Sequence, residues 1–504
     1  MAGMARTPRE SEGDFLPAAS TRGRLTLAAV TLGSGIAILD SSIVNVALKE
    51  IGVDLGASLT QLQWVVNGYL LALASLVLVG GALSDRFGRR RVYLVGMAWF
   101  LLGSLLCALA HSPDQLVATR VVQGIGAALL TPGALAIIQA SFRPQDRGAA
   151  IGTWAGMSGI AAAIGPFVGG WIVDHSTWRW IFAINVPLCL VVIALAWWAA
   201  PESRAARPGR FDALGALLTV VGLGALTYTL TYAASGRPGL LLAGGLLTVG
   251  ALVSLLVVES RAVDPLLPLS LFRSRVFSAA NAMTLLVYGA LGVVFFVLVL
   301  QLQVSSGWSA LSAGLTALPV TIALMFLSTG AGRLSTRIGP RIPMTVGPLV
   351  CGLGCALLVR VGAGTTWYAV LPGLIVFALG LALLVAPLTA SVLAAAPDDR
   401  AGVASGINNA VARAGSLLAV AALPVVAGLS GDSYLDPGAM TAGYRTSMLA
   451  CAAIMAAGGI TSWFGLGPRR ADPSNQGAGD GGTRDGGSSR GVPPGGALAP
   501  PGQE

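Results

Sequence analysis

Apolar runs of about 20 residues recur along almost the whole chain, and few folds can accommodate that pattern. A hydrocarbon core of about 30 Å takes roughly 20 helical residues to cross. Runs of that length predict fourteen spans, near residues 24–48, 61–83, 92–110, 115–140, 148–173, 181–200, 211–234, 239–258, 277–303, 309–331, 342–362, 367–396, 401–429 and 443–465. Barrel strands are only about 10 residues long and alternate in polarity, so run length selects helices. Composition agrees, because 55% of the 504 residues are hydrophobic and only 11% are charged. That mix lies far from a soluble domain's. The chain therefore reads as an all-α polytopic membrane protein. Its first apolar run is too long for a signal-peptide core and no small-residue cleavage pattern follows, so it is expected to remain as the first span.

The formal net charge of +9 could mark a nucleic-acid surface, and the placement of the basic residues decides against that reading. Of the 31 Lys and Arg residues, 24 lie in the N-terminus, every second loop and the C-terminal tail. Five lie in the opposite loops (Lys49, Arg179, Arg237, Arg360 and Arg445), and Arg120 and Arg413 fall inside spans. Such a bias predicts a multi-pass protein of the cell membrane with both termini in the cytoplasm, which an even number of spans satisfies.

Other chemistry is excluded residue by residue. Lys49 is the only lysine and no Gly-rich loop precedes it, so a nucleotide-binding P-loop is not expected. His111 and His175 fall in separate outer loops without metal-ligand spacing, and all five cysteines lie in apolar spans where small thiols pack. Neither a metal, a cofactor, a disulfide nor an enzyme's polar catalytic cluster is expected. Residues 1–22 and the Gly/Ser/Pro-rich tail 467–504 cannot bury enough apolar surface to fold and are expected to be disordered.

Internal echoes predict a duplicated architecture. Asp146-Arg147-Gly148 opens span five as Asp399-Arg400-Ala401-Gly402 opens span thirteen, and Gly332 to Arg341 is a weaker copy of Gly81 to Arg91. Both copies run in the same orientation. The expected organisation is a six-helix bundle over 23–200, two inserted helices with a cytoplasmic linker over 201–276, and a second six-helix bundle over 277–466. A binding cavity would then lie between the halves at mid-membrane.

Asp40 is the one acidic residue in the interior of a predicted span. A carboxylate at a helix centre costs about 2.5–3.5 kcal/mol even on a lenient insertion scale, so it is kept for ion coupling or substrate binding unless it is paired structurally. Sixteen residues at about 1.5 Å each put it about 24 Å from the inner surface at Arg24. By the same rise, Arg120 lies about 8 Å from the outer surface at Gln115. In a core of about 30 Å these depths nearly coincide, which makes a pair geometrically possible. One proton entering down about 100 mV and one pH unit could sustain a gradient of roughly 500-fold in a neutral compound.

The segment Gly81 to Arg91 is charged, bounded by glycines and set between two apolar runs, with Gly88 allowing a bend at a tight cytoplasmic turn. It resembles the loop signature of the major facilitator superfamily. Together with Asp40 to Leu48, Arg120 with Gln123 to Gly126, Gly165 to Gly170 and Trp178 to Pro187, it resembles the fourteen-span drug:proton antiporters of that superfamily over residues 24–465. Lys49, Ser42 and Cys189 depart from the family's usual proline, threonine and glycine. The resemblance implies the major facilitator fold, with two six-helix bundles plus two inserted linker helices. It also implies proton coupling through Asp40 and Arg120, and a cytoplasmic gate at Gly81, Asp85, Arg86, Gly88 and Arg89, whose charges otherwise only set topology. Gly165, Pro166, Gly169 and Gly170 would form an antiporter hinge, or a static close-packing site.

The implied function is proton-driven export of a lipophilic drug or antibiotic, with a native metabolite such as a siderophore or amino-acid derivative as the alternative cargo. Candidate cavity residues are Asn281, Thr284 and Tyr288, spaced by three and four in span nine, with Asn45, Trp64, Asn67, Gln123, Asn408 and Asn409. Arg413 is either functional or a brace between helices. With so little acid in the spans, the expected cargo is bulky, largely apolar, and neutral or weakly charged. Expected partners are that cargo, protons and the lipid bilayer, with no nucleotide or nucleic acid.

Overall fold

A computed structural model describes residues 15–205, 212–233, 237–262, 265–397 and 400–467. The expected disorder of 1–14 and 468–504, and Asp399 of the second echo, lie outside the described residues. The fold is all-helical. Among the described residues, fourteen helices are long and apolar enough to cross a membrane. They are α1 (Thr21–Leu55), α2 (Leu59–Phe87), α3 (Arg89–Ala108), α4 (Pro113–Ser141), α5 (Pro144–His175), α6 (Trp180–Ala199) and α7 (Ala213–Thr231). The remainder are α8 (Pro238–Arg261), α9 (Arg275–Val304), α10 (Ala310–Ile338), α11 (Arg341–Leu358), α12 (Trp367–Ala394), α13 (Gly402–Val426) and α14 (Pro437–Gly465).

Local chemistry sets the ends of these helices. Gly56, at φ 60°, closes α1 in the left-handed conformation that lacks a Cβ penalty. Two residues later Ser58 and Gln61 form a reciprocal capping box that opens α2. At the other end of α2 the structure corrects the expected loop. Gly81 to Phe87 is helical, α3 begins at Arg89, and Gly88 with φ 113° is the whole turn. The charges that suggest a loop sit on two abutting helix ends.

A second difference concerns the N-terminus. Within the segment expected to be disordered, residues from Phe15 onward are described: Leu16 N–H donates to Ser141 O at 2.7 Å, Ala18 N–H to Asp146 at 3.1 Å, and Ser20 caps α1. Backbone hydrogen bonds to the α4–α5 junction hold this segment, with Ala18 packed on the core and the Phe15 ring under Arg147.

Helix packing repeats with an offset of eight. In the first group α2 and α3 pack on α4, α1 packs on α5 and α6, and α3 also meets α6. The same relations hold for α10 and α11 on α12, α9 on α13 and α14, and α11 on α14. Small residues make the close approaches, as they must where lipid supplies no hydrophobic force between helices. A Cβ on Gly96 or Gly103 of α3 would come within 2.8 Å and 2.6 Å of the α4 backbone. Gly354, on α11, stands seven residues after Gly347 as Gly103 does after Gly96, and a Cβ on it would come within 2.6 Å of Phe377 N. The inserted α7 and α8 pack on each other, and α7 also lies along α2 and α13.

The two groups meet through α2 on α13 and α5 on the start of α10, and they are tied at one end. There Gln303 Nε2 donates to Val46 O at 2.8 Å, Gln63 Nε2 to Val420 O at 2.8 Å, Leu59 N to Gly431 O at 2.9 Å, and Tyr434 Oη to Ala57 O at 2.8 Å. Asp174 accepts from Ala310 N and Leu311 N at 2.9 and 3.0 Å, which caps the start of α10. Toward the opposite end, Gly148, Gly152, Gly156 and Gly159 of α5 face open space. The expected cytoplasmic placement of both termini would make the tied end the outer one. A cysteine placed at Ser416 should therefore react with an impermeant maleimide in inverted vesicles and be protected in right-side-out ones. The five native cysteines are buried and should contribute little background.

Candidate transport site

Asp40 is fully buried. Its Oδ2 accepts from Arg120 Nη1 at 2.5 Å, while Oδ1 accepts from Gln123 Nε2 at 2.8 Å and from Asn185 Nδ2 at 2.9 Å. Three donors from α4 and α6 therefore converge on one carboxylate of α1. Charge-assisted bonds of this kind are what make a carboxylate tolerable in a dry interior. Arg120 is only 1% exposed, donates through Nε to Val65 O at 3.1 Å and through Nη1 to Gln123 Oε1, and lies 4.3 Å from the centroid of the Tyr69 ring. Ser104 closes the network by accepting from Gln123 at 2.7 Å and from Asn185 at 3.4 Å.

Beside this network is a cavity of about 350 Å³ between the two helix groups. Arg120 and Tyr69 form part of its wall, whereas Asp40 stands behind them and does not reach the cavity surface. The walls are otherwise apolar and aromatic, including Leu291, Phe295, Phe296, Val320 and Leu324, with Ser41, Asn45 and Ser416 among the polar exceptions. A pocket of this size and lining suits an organic molecule of modest size.

Of the nine expected cavity residues, Asn45 and Tyr288 line it. The others are placed elsewhere. Asn408 Nδ2 donates to Asn281 Oδ1 at 3.1 Å and to Thr284 Oγ1 at 2.8 Å, so these three tie α13 to α9. The periodic stripe turned its polar atoms to a neighbouring helix, which satisfies them more fully than a cavity can. Gln123 is buried in the Asp40 network, Trp64 faces Tyr228 of α7 at a ring separation of 6.4 Å, and Asn409 donates back to Ser405 O within its own helix. Asn67 is fully buried with both side-chain polar atoms unpartnered.

The glycine-proline segment brings α5 against two helices. A Cβ on Gly165 or Gly169 would strike Ser42 or Ile43 of α1, and one on Gly170 would strike the backbone of Leu311, while Pro166 meets Gly314. Close packing at the seam between the groups is thus what the structure places there.

At the α2–α3 turn, Asp85 pairs with Arg89 at 3.0 Å, and this pair is internal to the turn and partly exposed. Such a pair adds little stability. Arg86 is exposed and stacks toward Phe87. Gly81 lies inside α2 near Pro132, and Gly88 faces Glu202. That glutamate, absent from the sequence-based candidates, accepts from Arg90 N at 3.1 Å and Arg91 N at 3.2 Å and so caps α3. Asn185 and Ser104 were missed as site residues as well. Asn185 lies within the Trp178 to Pro187 motif, which was the available signal, whereas nothing in the sequence distinguishes Ser104 from other small polar residues in spans.

The chain matches the Major Facilitator Superfamily over residues 30–420. It is 36% identical over 433 residues to the tetracenomycin C resistance and export protein of Streptomyces glaucescens, covering 83% of this chain and 79% of that protein. It is 34% identical over 442 residues to the methylenomycin A resistance protein of Streptomyces coelicolor, covering 87% and 91%. Among solved structures, a bacterial homologue of the human lysosomal transporter Spinster aligns with a TM-score of 0.63 at 17% identity, covering 89% of this chain and 97% of that one. The inward-open xylose transporter of E. coli aligns at 0.58 and 15% identity, covering 88% and 96%. At such identities these two structures speak to the fold alone.

Removing one member of a buried pair leaves the other charge uncompensated. Arg120→Gln and Asp40→Asn should each destabilise the protein by about 3–5 kcal/mol. The double variant should lose clearly less than the two losses combined, as a thermal-unfolding cycle in detergent will measure.

Proposed function

The chain belongs to the major facilitator superfamily, and we propose that it exports a lipophilic drug or antibiotic across the cell membrane in exchange for protons, with both termini in the cytoplasm. The observation that carries this reading is the position of Asp40. It is a carboxylate fully buried inside a span, and Arg120, which holds it, forms part of the cavity wall.

Coupling follows from that layering. While Asp40 is ionised, it holds Arg120 against the back of the site. A proton arriving on the carboxylate removes the attraction, replaces an acceptor with an O–H donor, and leaves Arg120 to seek another partner. Asn185 Oδ1, which has no partner in the ionised arrangement, could accept the new O–H if the amide turns over. The released guanidinium, already on the cavity wall, turns into the space that cargo needs, so a proton on Asp40 and cargo in the cavity exclude one another. Such competition is the condition for exchange rather than leak.

Opening and closing would occur about the α5 seam, where Gly170 and Pro166 lie against the start of α10. Switching requires the outer ties at Tyr434, Gln303 and Asp174 to break while the inner ends of α5 and α10 approach. The names of the relatives, resistance and export proteins for antibiotics, support the class of cargo.

The test uses inverted membrane vesicles carrying wild type or Asp40→Asn under an imposed pH gradient. Adding lipophilic antibiotics should partly collapse the gradient with wild type and leave it intact with Asp40→Asn. Equal collapse in both would move the coupling site elsewhere.

A further inference from the structure

The charges around the cavity do not balance. Arg120 is matched by Asp40, but Arg413 of α13 is not: among the described residues it makes no hydrogen bond or ion pair, and its Nε is buried without a partner. Arg413, Ser416 and Val420 recur at spacings of three and four, so they share one face of α13, and the latter two line the cavity. The groups that bear electrostatically on Arg413 are the phenols of Tyr69 and Tyr288, one from each side of the same cavity. No carboxylate is among them.

The facing helix adds a second unpartnered group. Gln63 Nε2 bonds Val420 O, and Gly406 lies beside Leu78, so α2 and α13 run antiparallel with Asn67 opposite the turn from Arg413 to Ser416. Both polar atoms of the buried Asn67 lack partners. The rest of Arg413 is half-buried, but its unpartnered Nε and the unpartnered amide of Asn67 on one seam are costly in a protein interior. A brace between helices would show the partner it braces.

We infer that Arg413 is the counter-ion for an acidic group on the cargo, which is a lipophilic molecule bearing a carboxylate or an ionised phenol. The inference rests on the reading of this cavity as the transport site and specifies what enters it. The apolar walls at Phe295, Phe296 and Leu324 take the body of the molecule. Arg413 stands just outside the lining, one turn from Ser416 on the same helix face, and its guanidinium takes the charged oxygen from there. Arg120 stays committed to Asp40, so the second arginine lets the cavity hold an anion without breaking the coupling pair.

Two fluorescent probes of the same shape test this on the purified full-length protein without any gradient: anthracene-9-carboxylate and its methyl ester. Wild type should bind the carboxylate at least about ten-fold more tightly than the ester, the scale of a hydrogen bond to a charged group. Arg413→Gln should bring the two affinities to within about two-fold, leave ester binding unchanged, and not lower the melting temperature, because it removes an unmet charge. Equal affinities in wild type, or a preference that survives in Arg413→Gln, would overturn the inference. A lowered melting temperature in the variant would do the same by revealing a structural partner, and a thermal shift from chloride alone matching that from the carboxylate would reduce the site to a bulk counter-ion site. These outcomes are independent of whether Asp40→Asn abolishes gradient collapse, so the export reading stands or falls separately.

Discussion

The contact between Asp40 and Arg120 organises the N-terminal helices. Lipid offers no water to satisfy a polar group, so one acidic side chain in α1 commits its neighbours to supplying donors. Arg120 and Gln123, one turn apart on α4, and Asn185 on α6 do so, and Ser104 on α3 completes the set. Four helices are thereby fixed around a single carboxylate. Glycines at Gly96, Gly103 and Gly124 then let α2, α3 and α4 approach closely enough for the network to close.

The same constraint explains what differs between the halves. The C-terminal group repeats the packing of the N-terminal one, but among its described residues there is no buried acid, and its buried polar contacts are neutral, as among Asn281, Thr284 and Asn408. Arg413 is the exception. One half therefore holds a self-contained ion pair, while the other presents a half-buried charge that no side chain among the described residues meets.

Closure at one end arises from side chains that reach backbone groups of the other half rather than from ion pairs between the halves, among the described residues. Gln303, Gln63 and Tyr434 each reach across to a carbonyl of the other half, and Asp174 caps the start of α10. These bonds are few, and those of Gln303, Gln63 and Tyr434 are buried in the closed seam. Opening the seam therefore requires water to enter and satisfy each group as its partner leaves.

Much was legible in the sequence, for definable reasons. Helix length, the number of spans, the placement of basic residues and the expense of Asp40 follow from the thickness of a bilayer and the cost of charge inside it, and these apply to any chain. The meeting of Asp40 with Arg120 was foreseeable because depth along two helices can be counted at a fixed rise per residue. Rotation about the helix axis cannot be counted in that way. Whether Asn281, Gln123 or Trp64 faced the cavity, a neighbouring helix or α7 depended on how whole helices turned against each other, and only packing decides that. Likewise, nothing local distinguishes Glu202 from other acids near a helix end, or Arg413 from a brace, until the partners around them are seen. The sequence by itself determined which groups had to be satisfied in the membrane; the tertiary structure decided which groups satisfy them and which were left for a ligand, because partner choice depends on the relative rotation and closeness of helices that are distant in the chain.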